Sequence, residues 1–173
     1  MSLIVEDGTA LSTAESYASV AECDLYLANN GIAIWAPMLT VEKEQALRRA
    51  THFMLQTYRI QWKGQRVTAT QSLDWPRWNV QLPDLFGTVN AYVPYNQIPV
   101  TLKNANCELA LLAAAGDLNV TLTQNIVSKE VGPLKVVYDK DSPPQKRYVF
   151  VNQMLSIYLT GRSSGAMSRL GRV

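Results

Sequence analysis

Histidine occurs once in these 173 residues, cysteine twice, and the formal net charge is only +2. Nucleophilic triads and most zinc sites draw on histidine. His52 has no second histidine, no close cysteine pair, and no Asp or Glu four residues to either side. It therefore reads as a surface or interface residue, and neither a catalytic role nor a metal is expected. No glycine-rich phosphate loop of the dinucleotide or Walker type is present, so no nucleotide cofactor is expected. The nearest acid pairs, Glu6 with Asp7 and Asp139 with Asp141, have nothing around them that would keep one carboxyl protonated, and they read as turn and capping residues. No run approaches the roughly 18 apolar residues of a membrane span, and the N-terminus lacks the regions of a secretory leader, so the expectation is a protein that works in water with no membrane partner. Cys23 and Cys107 could pair, but two distant cysteines in a chain without such a leader are expected to be reduced, buried small hydrophobes. A net charge this small is too weak for a dedicated nucleic-acid binder, so any DNA contact would be local.

What is present is a foldable core: 47% hydrophobic and 17% charged residues, an ordinary balance for one compact domain. The opening fifteen residues read as a short extended arm and a turn. Ser19 with Glu22 has the form of a capping box, and Val20, Cys23 and Leu27 share a face until Asn29-Asn30-Gly31. Thr40 caps a second helix, in which Leu47, Ala50, Thr51, Met54 and Tyr58 recur at helical spacing. Opposite that stripe lie Gln45, Arg48, Arg49, His52, Gln56 and Arg59, so this helix packs on one side and presents the other to water or a partner. From Trp62 to Gln97 periodicity dissolves among prolines, glycines and aromatics, the pattern of a long functional or wrapped loop. A third helix begins near Pro99 and runs to Gly116. Its second half is apolar all round, so it is either central in its own fold or covered by a neighbouring subunit. Two β-rich runs around Gly132-Pro133 predict a hairpin or extended arm. A last helix from about Tyr148 carries Val151, Met154, Leu155 and Tyr158 on one face.

The expected architecture is mainly α: a small bundle of about four helices over residues 1–161, with a long loop at 62–97, a β arm at 126–139 and an extended tail at 162–173. The tail carries Arg162, Met167, Arg169, Leu170 and Arg172 and no acid. It reads either as a frayed terminus or as a segment that orders on a partner. In the middle of the chain, Arg48, Arg49, Arg59, Lys63, Arg66 and Arg77 interleave with Tyr58, Trp62, Trp75 and Trp78. Cations beside rings suit single strands, but such residues also fill cores and protein interfaces, and that reading weighs more.

Several stretches, in order, carry a resemblance: Val5-Glu6-Asp7-Gly8-Thr9, Glu15 to Ser19, Glu42 to Thr51, Trp62-Lys63-Gly64, Leu73 with Trp75-Pro76-Arg77, Ile98-Pro99, Cys107 to Ala110, and Ser128 to Leu134 with Val136 and Tyr138. The sequence resembles a family of tailed-bacteriophage neck proteins, described both as head-to-tail connectors and as DnaT-like single-stranded-DNA-binding proteins. The resemblance implies a non-enzymatic virion subunit in the neck between capsid and tail, assembled in the host cytoplasm. It would form a twelve-fold ring with copies of itself and bind the portal protein and tail or head-completion proteins. Genomic double-stranded DNA would pass through the ring without sequence specificity. On that reading the Gly161–Val173 tail docks on the portal, the basic face of Arg48, Arg49, His52 and Arg59 meets a neighbouring subunit or the lumen, and Trp75-Pro76-Arg77 anchors the long loop. The alternative is a single-stranded-DNA-binding protein acting in phage replication. The stretch from Asn79 to Asn96 departs from the family in its length.

Overall fold

The first helix, α1 (Val20–Asn29), starts where reciprocal capping is available: the Ser19 hydroxyl accepts from the Glu22 amide and the Glu22 carboxylate accepts from the Ser19 amide. This satisfies two of the amides that a helix start leaves without partners. Helix α2 (Thr40–Tyr58) places Thr40 inside the first turn, and the cap position falls to Leu39. Leucine has no acceptor, so the terminus is closed from within, the Glu42 carboxylate accepting from the Leu39 amide at 3.0 Å. The computed structural model describes residues 2–84, 91–119, 126–130, 135–138 and 148–160. The tail residues Arg162, Met167, Arg169, Leu170 and Arg172 lie outside the described residues.

Helix α3 (Val100–Ala115) resolves the alternative posed by its apolar surface. It packs against α1, against α2, and against α4 (Val149–Leu155), so most of its hydrophobic circumference is covered within the chain. Only part of that surface, including Leu112, is left to solvent. A polar pin sets the register of this packing. The fully buried Asn106 donates from its amide nitrogen to Thr51 Oγ1 at 3.0 Å, and its amide oxygen accepts from Ser16 Oγ at 3.1 Å. A buried amide with both ends satisfied favours one arrangement of helices over slipped ones. The fold is mainly α.

Cys23 on α1 and Cys107 on α3 are joined by a disulfide, with their Cα atoms 5.3 Å apart. The expectation of two reduced thiols is thereby corrected. Eighty-four residues separate them in sequence, and only the stacking of α1 on α3 brings them within bonding range.

The long loop holds a small ladder, β1 (Gln65–Arg66) antiparallel to β2 (Arg77–Trp78). Strands β3 (Ile126–Glu130) and β4 (Lys135–Tyr138) form the expected antiparallel hairpin. The N-terminal arm enters the body beside Ser16, with Val5 bridged to it in parallel. Within the arm, the fully buried Glu6 carboxylate accepts from the amides of Gly8, Ala10 and Leu11 at 2.9–3.0 Å. Gly8 has φ +105°, and a Cβ there would lie 2.1 Å from the Asn96 carbonyl oxygen. Only glycine fits a left-handed turn pressed against another backbone.

Candidate functional site

The basic and aromatic residues of the middle segment separate into an inward set and an outward set. Tyr58, Trp62 and Trp75 are all buried. Trp75 meets Trp62 edge-on at 5.8 Å and Tyr158 edge-on at 5.6 Å, and Trp62 meets Tyr58 at 5.6 Å. These are packing geometries, with no ring face open to a base. The Tyr58 hydroxyl donates to Asn152 Oδ1 on α4, and burial pushes its pKa up to about 12.

The cations of this segment are mostly engaged as well. Arg77 donates Nε to the Lys63 carbonyl, Nη1 to that of Asp74 and Nη2 to that of Gly64, at 2.8, 3.1 and 2.8 Å. Lys63 Nζ donates to the Ile157 carbonyl and Arg66 to that of Gln71. Arg48 pairs with Glu15 at 2.9 Å, which holds the Glu15 carboxyl below its ordinary pKa. Three carbonyls on one guanidinium explain why Arg77 follows Trp75-Pro76: the fork closes the loop around the buried indole. What remains outward is Trp78, 59% exposed, with Tyr95 at 52% and ring centroids 5.9 Å apart, and Tyr92 nearby in sequence.

Asp74 sits at the centre of the inward set. Its side chain is 1% exposed and 3.9 Å from Arg59 Nε. Neither carboxylate oxygen, nor the indole nitrogen of Trp62 or Trp75, makes a hydrogen bond of good geometry among the described residues, although the Trp62 indole N–H is close enough to favour the Asp74 carboxylate. Burial raises the Asp74 pKa, while Arg59, Arg77 and Arg66 pull it down. Asp74 in turn adds to the burial that raises the pKa of Tyr17. A carboxyl whose pKa is higher folded than unfolded costs nothing while protonated in both states, and destabilises as pH rises from the ordinary carboxyl range through the folded value. We expect Asp74→Asn to gain stability relative to the native chain as pH rises from 4 to 8. Urea midpoints across that range measure it, and a pH-independent difference would contradict it.

The four basic residues expected on one helix face split. Arg59 lies beside Asp74. Arg48, Arg49 and His52 line a pocket of about 290 Å³, closed by Gln56 and by Ala113, Gly116, Asp117, Leu118 and Asn119 at the end of α3. Arg49 and His52 are exposed. Among the described residues no cluster of three His, Cys, Asp or Glu could hold a metal ion, and no helix is long and apolar enough to cross a membrane.

A family model described as "Putative DnaT-like ssDNA binding protein" matches residues 1–173. The chain belongs to that family. No curated protein and no solved structure matches it.

Sequence reasoning missed two parts of this region. The α3-end turn, Gly116 to Asn119, carries no periodic signal and forms a pocket wall only because α2 passes beside it. The pairing of Trp78 with Tyr95 spans seventeen positions of irregular chain, which no spacing rule reaches.

Proposed function

We propose that this chain is a structural virion subunit, one copy in a ring-shaped adaptor that joins the capsid portal to the tail, extends the DNA channel and offers the tail a platform. The observation that carries this reading is the inward turn of Tyr58, Trp62 and Trp75, together with the engagement of Arg48, Lys63, Arg66 and Arg77. The residues that would make a strand-gripping groove maintain the fold instead. Apolar side chains are exposed on several faces at once: Leu25 on α1, Ile34, Leu39 and Val41 around the start of α2, and Val149 with Phe150 at the start of α4. A ring subunit needs two unlike contact surfaces, because its contacts run head to tail. The resemblance to phage neck proteins supplies the partners: portal, tail or head-completion proteins, and further copies of the chain in a twelve-fold ring. No reaction and no cofactor belong to this reading.

Mixing the protein with portal and sedimenting the mixture tests it, with the expected result a co-sedimenting ring. Deletion of residues 162–173 is expected to abolish co-sedimentation, and unimpaired co-sedimentation would remove the tail from the docking role.

The description of the family favours a second reading, single-stranded DNA binding, and the exposed Trp78–Tyr95 pair is compatible with it. Tight, salt-sensitive oligonucleotide binding weakened by Trp78→Ala, without ring formation on portal, would select that reading. Trp62 cannot serve in such a test, because a buried ring reports on stability.

A further inference from the structure

The pocket between α2 and the end of α3 includes Arg49 and His52, which the connector reading gives to a neighbouring subunit or the lumen, and its walls have a defined chemistry. Arg49 and His52 stand three residues apart on α2 and so share a face. Neither has an ion pair or hydrogen bond with a described residue, whereas Arg48 beside them is held by Glu15 at 2.9 Å and Glu44 at 3.6 Å. Opposite them, Asn119 Nδ2 donates to Gln56 Oε1 at 3.1 Å. That bond leaves the Gln56 amide nitrogen as a donor and the Asn119 amide oxygen as an acceptor. Asp117 spends Oδ1 on the Asn119 amide at 3.0 Å and keeps its second oxygen. Ala113 and Leu118, buried in the core, form only the floor of the pocket.

We propose that this pocket takes one nucleotide of a single DNA strand. It rests on the single-strand-binding reading and locates that binding away from the tryptophans. The phosphate lies against Arg49 and His52, where a guanidinium fork matches phosphate oxygens. The base reaches toward the floor formed by Ala113 and Leu118, with its edge toward the exposed Gln56–Asn119 amide pair. Asp117 decides between a bare anion and a nucleotide. A carboxylate in the same pocket opposes an isolated oxyanion, but it accepts a hydrogen bond from an exocyclic amino group. Bases that carry such a group are therefore favoured over thymine. A pocket of about 290 Å³ is at the small end of ligand sites, suited to one unit of a chain.

Titration of the full chain with labelled oligo(dC) and oligo(dT) tests this. Oligo(dC) is expected to bind roughly tenfold tighter, the worth of one hydrogen bond to a charged group. Asp117→Ala is expected to erase that preference. Arg49→Ala with His52→Ala is expected to weaken both ligands and to lower the slope of log affinity against log salt by about 0.7 for each phosphate that is no longer neutralised. His52 is the single histidine of the chain, so its imidazole resonances report on the pocket directly and are expected to move on saturation with dCMP. Equal binding of the two oligonucleotides, or inorganic phosphate moving the imidazole as dCMP does, overturns the nucleotide pocket. Oligonucleotide binding that survives the pocket substitutions but is lost in Trp78→Ala overturns the pocket and leaves single-strand binding standing. No binding of either oligonucleotide by the native chain overturns both.

Discussion

Trp75→Ala is expected to cost about 3–5 kcal/mol, the range for emptying a buried large aromatic site. The indole has no exposed surface and is gripped edge-on by Trp62 and Tyr158, which come from the start of the long loop and the end of the α4 segment. The long loop and the Tyr158 segment, distant in sequence, meet at this ring, so the cavity cannot close by a local shift. Domains of this kind carry a total stability of about 5–15 kcal/mol, so a loss of this size removes a large fraction of it and moves the urea midpoint down strongly. Trp78→Ala provides the internal control. That ring is 59% exposed, and its loss is expected to shift stability by about 0.5 kcal/mol or less. Equal urea midpoints for the two variants would show that the inward tryptophans do not hold the loop.

The second large effect is expected at Glu6. Its carboxylate is the acceptor for three amides in a turn that never becomes helix or strand, and Glu6→Ala removes that acceptor. Each buried donor left without a partner costs about 1–3 kcal/mol, so a loss of roughly 3 kcal/mol or more is expected, or on the order of 10 °C in Tm for a domain of this length. Glu6→Gln keeps the side-chain length and one acceptor oxygen and should retain part of the stability. Thermal melts of the two variants measure this. Alanine and glutamine behaving alike would mean that the turn holds itself by backbone geometry alone.

These two sites show how a family mark differs from chemistry. Val5-Glu6-Asp7-Gly8-Thr9 and Leu73-Asp74-Trp75-Pro76-Arg77 stand out in the sequence, and in the structure both are closures: a carboxylate gathering amides, and a guanidinium gathering carbonyls around a buried indole. Each closure leaves some backbone groups outside any ladder, and a charged side chain satisfies them: the Gly8, Ala10 and Leu11 amides at Glu6, and the Lys63, Gly64 and Asp74 carbonyls at Arg77.

The sequence by itself determined the helices, because helix formation is written locally. The Ser19–Glu22 box, the stripe from Leu47 to Tyr58, and Pro99 and Gly116 at the ends of α3 each act within a few residues. It also exposed the polar face of α2, since 100° per residue fixes what lies opposite an apolar stripe. Tertiary structure alone decided which groups meet across the chain. It joined Cys23 to Cys107, turned Trp62 and Trp75 inward while leaving Trp78 outside, and set the α3-end turn beside Arg49 and His52 to make a pocket. Those outcomes depend on how helices stack, and stacking is set by the summed fit of many side chains that no short window of sequence contains.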